Sequence, residues 1–513
     1  PRMDAHPRKK LVLAAMIFAV AMTFIDQTIV SIAIPELQKD LSLSSTGVQW
    51  VINGYLLALA ALFAFGGRLA DIAGHTRMLV IGVVIFAVSS ALCGATPEGD
   101  IAEAWMITFR VLEGAGAAIM FPAALAIVVS SFPLRERGQA MAIFFGIAGG
   151  LTAVGPIAGG YLSEWTWRAI FWVNIPVAII ALVLTAVAKP PNERRPAPMD
   201  YRGLVLVTGG MALAVLGLQQ AATWGWGDAR TIGSIVIGVA LLLAFVRVEL
   251  RTEEPLLQLG FFRDRGFASD NAILFVMNAV FLPMFFFASM YSQISLGDDA
   301  SNAGLYLLIF FAGFAAASQW GGKLLDRVGA RSAIVPGTAI AAVGYFLWAR
   351  HLTDLSLDDQ WPFIVMAGVG MGLILGPAST DALNRVPSDS YGAATGIEQT
   401  VRNFGASLGL AILGTVLVHQ NTKNIESSLA DAGLPTGEAD RIADAVNHAG
   451  GGDSGSFASN GGEQAKEIFA TIQHDFAQAS EVVFTIMAAI MLVAFLIALR
   501  WLPRGRVQEP GGT

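Results

Sequence analysis

A succession of apolar runs, each long enough to cross a bilayer as a helix, limits this chain more than any other feature. A helix rising 1.5 Å per residue needs ~20 mostly apolar residues to span the hydrocarbon core. Fourteen stretches qualify: 11–34, 48–69, 78–95, 104–129, 139–162, 169–188, 203–222, 231–249, 268–291, 303–325, 332–349, 361–380, 393–418 and 481–501. The pair 203–222 and 231–249 reads as two spans rather than one re-entrant unit, because Trp224 and Trp226 lie between them, where an aromatic belt belongs. Only 14% of the 513 residues are charged, against about 25% in soluble domains. The predicted fold class is therefore an all-α membrane protein with fourteen transmembrane helices. A net charge of −7 gives no support for a nucleic-acid partner, and the single cysteine, Cys93, cannot form an internal disulfide.

Orientation follows from the basic residues. With the N-terminus inside, the inner segments hold 23 of the 32 lysines and arginines, among them Lys9, Lys10, Arg77, Arg135, Arg137, Arg327 and Arg504; the outer segments hold seven. This bias places both termini in the cytoplasm, and the expected location is the inner (cytoplasmic) cell membrane, crossed many times.

An internal repeat organises the runs. Gly67, Asp71, Gly74 and Arg77 leave the second run, and Gly322, Asp326, Arg327 and Gly329 leave the tenth with the same glycine and aspartate spacing. Two six-helix halves with two helices inserted between them account for copies eight runs apart. The predicted boundaries are 1–188, 189–266 for the inserted pair, and 267–513 for the second half. Repeated halves flanking a central site are a transporter architecture. In each copy the glycines allow close packing and a tight turn. The aspartate can accept from a neighbouring helix N-terminus and pair with an arginine. The repeat is thus read as a charged conformational latch. Residues 419–480 are polar and carry nine acidic residues. They read as a long outer loop with a glycine-rich linker at 450–456 and possible surface-lying amphipathic helices at 437–448 and 463–479.

Both copies resemble the signature loop of the major facilitator superfamily. Asp26-Gln-Thr28-Ile-Val-Ser-Ile-Ala33-Ile-Pro35 is similar to the first-helix motif of the fourteen-helix drug:proton antiporters. Arg110-Val-Leu-Glu113-Gly114-Ala-Gly116 resembles the fourth-helix motif, with Glu113 in place of a usual glutamine. Gly155-Pro156-Ile-Ala-Gly159-Gly160 resembles the fifth-helix motif associated with antiport, and Trp167-Arg168-Ala-Ile-Phe171-Trp-Val-Asn174-Ile-Pro176 the start of the sixth helix. The resemblance covers nearly the whole chain outside 419–480. It implies a proton-coupled exporter of small hydrophobic molecules such as drugs, cationic ones included. Two signature positions depart from the pattern: Ile72 stands in place of a basic residue and Leu151 in place of a glycine.

The residues support a mechanism independently. A charge at mid-membrane costs at least ~2.5–3.5 kcal/mol and so faces a cavity or a partner. Asp26 lies roughly 12 Å from the outer end of its run, and Arg110 and Glu113 roughly 9–14 Å from theirs. Contact is possible if the two runs are neighbours. Burial raises a carboxylate's pKa and an adjacent arginine lowers it, so Asp26 and Glu113 are candidate proton carriers tuned by Arg110. A permanently paired structural triad is the alternative. Glu398, Gln399, Arg402 and Asn403 form a second polar stripe that either pairs internally or lines a cavity, as does Asn278. Asp270, near the end of its run, is either of that kind or a solvated end group. Helix-five glycines favour close packing and Pro156 a bend. Phe144, Phe145, Phe281, Phe285, Phe286, Phe287, Phe310 and Phe311 are candidates for an apolar cavity wall.

Other classes have less in their favour. Six histidines and one cysteine form no nucleophile–base or metal-ligand set, and no Walker-type loop points to ATP. The expectation is therefore no enzyme, no metal and no cofactor, with the proton gradient as energy source. The expected partners are protons, a small hydrophobic substrate and the lipid bilayer, with the chain a monomer. Export of an endogenous lipid or metabolite, proton-coupled uptake, and a receptor or scaffold that has lost transport remain alternatives.

Overall fold

The computed structural model describes residues 7–43, 45–192, 198–252, 255–298, 300–387, 390–431 and 463–507. The first half comprises α1 (Lys9–Leu41), α2 (Ser45–Ala73), α3 (His75–Gly94), α4 (Ala102–Ser131), α5 (Leu134–Trp165), α6 (Ala169–Trp172) and α7 (Asn174–Ala188). Then come α8 (Tyr201–Trp224) and α9 (Ala229–Glu249). The second half is α10 (Arg265–Ile294), α11 (Ala300–Val328), α12 (Arg331–His351), α13 (Leu357–Asn384), α14 (Tyr391–Asp431) and α15 (Glu463–Trp501).

Local chemistry sets the breaks between helices. Asp200 caps α8 by accepting the Arg202 and Gly203 amides at 2.9 and 3.0 Å, and Asp264 caps α10 through the Phe267 amide at 2.9 Å. Gly74 and Gly329 turn the chain with φ of +102° and +113°, a region that side chains other than glycine rarely occupy.

Thirteen spans among the described residues are long and apolar enough to cross a bilayer, α6 and α7 together forming one of them. The fourteenth crossing is α5. At 32 residues it is about 48 Å long, and residues 140–157 within it are an apolar run with no charged side chain. The protein is thus a multi-pass membrane protein of two six-span halves plus an inserted pair. The inserted helices are two separate spans. α8 packs on α9, α2 and α14, and α9 buries little besides Thr231, Gly238, Phe245 and Glu249. The Trp226 indole in their connecting turn donates to Thr415 on α14 at 2.6 Å. The pair therefore covers one side of the line where the halves meet.

The halves repeat each other in detail. The third and fourth crossings pack through glycines in both. A Cβ on Gly82 of α3 would lie 2.7 Å from the Met120 amide nitrogen on α4, and one on Gly370 of α13 would overlap the Ala341 backbone on α12. Without a hydrophobic drive between helices in lipid, such close van der Waals contact does the holding. Pro122 in α4 and Pro377 in α13 sit at the same offset from their helix starts.

The 419–480 segment differs from expectation. Residues 419–431 and 463–480 do not form a loop with surface-lying helices; they prolong α14 and α15. These helices run 41 and 39 residues, about 60 Å each, roughly twice the ~30 Å hydrocarbon thickness. Neither prolongation contains a glycine or proline to stop it. The two projecting ends pair with each other: Ser428 donates to Asp475 at 2.9 Å, and Asn424 to the Asp475 carbonyl at 3.1 Å. The predicted 437–448 helix and the 450–456 linker lie outside the described residues.

Replacing Gly370 by valine is expected to force α12 and α13 apart. The cost should be about 1–3 kcal/mol, read as a lower melting temperature of the purified protein with no change in helix content.

Candidate functional site

α1 and α4 bring Asp26, Arg110 and Glu113 into direct contact. One guanidinium nitrogen, Nη1 of Arg110, donates to Asp26 Oδ2 and to Glu113 Oε2, both at 2.7 Å. The Nε of Arg110 donates to the Val51 carbonyl on α2 at 3.0 Å, and the guanidinium lies over the Tyr55 ring at 4.5 Å. All three charged residues are at most 2% exposed. Arg110 and Glu113 are three apart on one helix and share a face. The other oxygens, Asp26 Oδ1 and Glu113 Oε1, have no hydrogen-bond partner among the described residues. Two acids on one base leave one charge uncompensated when both are ionised, in a place where an isolated carboxylate is very costly.

Beside the triad, a cavity of about 50 Å³ lies between the halves. Thr23, Gln27, Phe24, Phe63 and Phe121 face it from the first half, and Asn278, Phe281, Gln399, Arg402 and Asn403 from the second. Of the predicted aromatic wall only Phe281 is there. Phe285, Phe310 and Phe311 stack on one another with Phe314 inside the second half, Phe144 packs edge-on against Phe145, and Phe286 is 55% exposed. Phe24, Phe63 and Phe121 went unrecognised in the sequence. Phe24, next but one to Asp26, carried the only signal. The polar stripe both pairs and lines: Glu398 accepts from Ser379 at 2.8 Å and meets Arg402 at 3.5 Å, while Arg402 and Asn403 face the cavity.

The two repeat copies sit at the end of the bundle where α1 begins and α15 ends. Asp71 accepts the Gly392 and Ala393 amides at 2.8 and 2.6 Å, at the first turn of α14. Asp326 accepts the Gly138 and Gln139 amides at 2.9 and 3.0 Å, in the second turn of α5. Each aspartate thus caps a helix of the opposite half with a full negative charge at its positive end. The glycines make the approach possible. A Cβ on Gly67 would strike the Gly392 carbonyl and one on Gly322 the Gly138 carbonyl. Among the described residues no ion pair joins Asp71 to Arg77 or Asp326 to Arg327. Asp71 instead meets His75 at 2.9 Å, and Arg77 and Arg327 are exposed. Lys9 pairs with Glu136 at the start of α5. A further link between the halves, not read from the sequence, is Arg137 of α5, which donates to Tyr391 at 2.8 Å and Asn384 at 3.2 Å.

On α5, Gly155 lets Thr28 of α1 lie directly against the backbone, and Gly159 is buried. The surroundings of Pro156 and Gly160 lie outside the described residues.

The sequence matches the Major Facilitator Superfamily over residues 16–410. The chain belongs to the major facilitator superfamily. It is 32% identical to the tetracenomycin C resistance and export protein of Streptomyces glaucescens over 95% of this chain and 90% of that one. It is 34% identical to puromycin resistance protein pur8 of Streptomyces alboniger over 83% and 84%. The multidrug resistance protein Stp of Mycobacterium tuberculosis matches at 30% over 96% and 92%. Among solved structures, the proton:xylose symporter XylE bound to 6-bromo-6-deoxy-D-glucose superposes with a TM-score of 0.60 at 12% identity, covering 98% of this chain and 97% of that one. The human organic anion transporter MFSD10 gives 0.58 at 11%, covering 96% and 100%. Those two likenesses establish the fold.

In this superfamily member the aspartate caps cross from half to half, so neutralising them should loosen that end. Asp71→Asn and Asp326→Asn each remove a charged acceptor worth about 1.5–3 kcal/mol. Labelling of an Ala406→Cys reporter at the cavity from that end is expected to rise about tenfold in either variant. Cys93 is fully buried and gives a quiet background.

Proposed function

We propose that this chain is a proton-coupled antiporter that exports small hydrophobic molecules, drugs among them, by alternating access. The observation that carries the reading is the buried Asp26–Arg110–Glu113 triad beside a cavity between two repeated halves. The names of its relatives, which are export and resistance proteins, point the same way. The chain acts as a monomer in the cytoplasmic membrane with both termini inside, an orientation supported by the distribution of lysine and arginine. The end closed by Asp71 and Asp326 then faces the cytoplasm.

The cycle follows from charge count. With one proton on Asp26 or Glu113 the triad is neutral, and without it the triad carries one net negative charge. Substrate enters from the cytoplasm or inner leaflet against Phe24, Phe63, Phe121 and Phe281, and the proton leaves inward. A cationic substrate supplies the missing positive charge itself. The halves then rock, the aspartate caps re-form behind the substrate, and it departs outward. A proton from outside restores neutrality. Arg110 cannot lose its own proton at any relevant pH, so it keeps the two acids together while the proton moves. Asn278, Gln399, Arg402 and Asn403 supply hydrogen bonds on the opposite wall and bias which molecules fit.

Substrate-evoked proton movement in everted membrane vesicles tests the reading, with lipophilic dyes and drugs as probes. Proton movement is expected in the wild type and abolished in Asp26→Asn. A wild-type protein that moves substrate without protons would falsify antiport. Arg110→Ala leaves two buried carboxylates with no base. It is expected to lose transport and about 3–5 kcal/mol of stability, read from thermal melting.

A further inference from the structure

The latch-bearing end of the second half holds another buried acid–base cluster, which the cycle above leaves unused. Asp270 on α10 is 0% exposed and Asp381 on α13 is 1% exposed. Arg385, just beyond α13, pairs with Asp381 at 2.8 Å and with Asp264 at 3.2 Å, but stands 3.8 Å from Asp270. Both carboxylate oxygens of Asp270 have no hydrogen-bond donor among the described residues. The sequence left Asp270 open as a solvated end group; burial excludes that. Gly266 is part of the same construction, because a Cβ there would overlap the Arg385 guanidinium.

The groups that face Asp270 are Asp381 from α13, Arg385 from the segment after it, and Asp264 from the turn before α10. On α14, Glu398 is engaged instead with Ser379 and Arg402. Asp264 is half exposed and is solvated on its own. The buried part is therefore two carboxyls on one guanidinium, the same count as at Asp26, Glu113 and Arg110. Asp270 and Asp381 stand 3.8 and 2.8 Å from the same guanidinium; with both ionised one buried negative charge is left uncompensated, and one proton removes it.

We propose that Asp270 and Asp381 form a second proton-binding site, with one proton shared between the two carboxyls. The inference rests on the antiport reading and assigns it a second station at the cytoplasmic end. Arg385 directly follows Asn384, which Arg137 of α5 holds across the halves at 3.2 Å. With the proton in place, Arg385 serves Asp381 and Asp264. When the proton leaves to the cytoplasm, the newly charged Asp270 draws Arg385 inward and pulls on Asn384, loosening its link to Arg137 of the opposite half. Cytoplasmic deprotonation is thereby tied to opening on the same side.

The test is the proton-to-substrate ratio, measured in proteoliposomes from the pH gradient that just balances a substrate gradient. Asp270→Asn is expected to couple one proton fewer. Its limiting accumulation should be about tenfold lower per unit of pH gradient, while substrate–substrate exchange, which needs no net proton movement, stays near the wild-type rate. Asp381→Asn is the second variant, for the case that Asp270→Asn does not fold. Acid–base titration of the purified proteins should show one proton fewer bound between about pH 5 and 9 in either variant. A variant that folds and keeps both the wild-type ratio and the wild-type titration overturns the second site and leaves antiport standing. A wild-type protein with no proton coupling overturns antiport, and this site with it.

Discussion

The position of Arg110 between two carboxylates decides how the first half is assembled. A guanidinium deep in hydrocarbon cannot be left alone, and the partners of Arg110 come from its own helix and two others. Asp26 belongs to α1, the Val51 carbonyl and the Tyr55 ring to α2, and Glu113 to α4. Sliding any of these helices by one turn would move its partner about 5 Å, beyond hydrogen-bond reach. The registers of α1, α2 and α4 are therefore fixed by one side chain. The cavity against the second half inherits that order, since Thr23, Phe24 and Gln27 sit next to Asp26 on α1.

Two kinds of contact divide the labour of the fold. Within a half, glycine seams such as Gly82 against Met120 and Gly370 against Ala341 bring backbones together along whole helices, and packed seams of that kind do not slide by degrees. Between the halves, the termini-bearing end is held by a few charged acceptors on helix ends and by Arg137 on Tyr391 and Asn384. Each such bond contributes on the order of 1.5–3 kcal/mol, and water can replace it when the halves part. Stiff halves with a soluble joint between them move as bodies. That property is what alternating access requires of the structure.

Much of this was legible in the sequence because the bilayer leaves few choices. Apolar run lengths yielded the spans, and the matching spacing of Gly67–Asp71–Gly74 and Gly322–Asp326–Gly329 yielded the halves. The cost of burying charge marked Asp26, Arg110 and Glu113 before their helices were known to touch. What escaped depends on orientation about the helix axis or on partners far away in sequence. Asp71 finds Gly392, 321 residues on, and no local pattern announces that meeting. Phenylalanines occur on every face of α10 and α11, so composition could not separate Phe281, at the cavity, from Phe310 in the core or Phe286 in lipid. Asp270 was left open as a solvated end group for a related reason: nearness to a helix end suggests water, yet Arg385 and Asp381 close over it. The end of α14 was misjudged because polarity was taken for a loop, whereas 463–479 was read as helical but as lying on the surface instead of prolonging α15. A polar stretch without glycine or proline simply continued the helix.

The frame of the molecule is symmetric and its buried charge is not. The two latches are images of each other: helix two of each half caps helix five of the other. The acid–base clusters also occupy matching helices, α1 with α4 and α10 with α13. Their depths differ. Asp26 lies seventeen residues into α1, about 25 Å from the termini-bearing end, whereas Asp270 lies five residues into α10, about 8 Å from it. A symmetric frame can rock equally well either way, so direction has to come from what breaks the symmetry. Buried carboxyls at unequal depths break it, because one cluster then lies at mid-helix and the other close to the termini-bearing end. On that argument the scaffold supplies the motion and the unequal placement of a few acids supplies its sense.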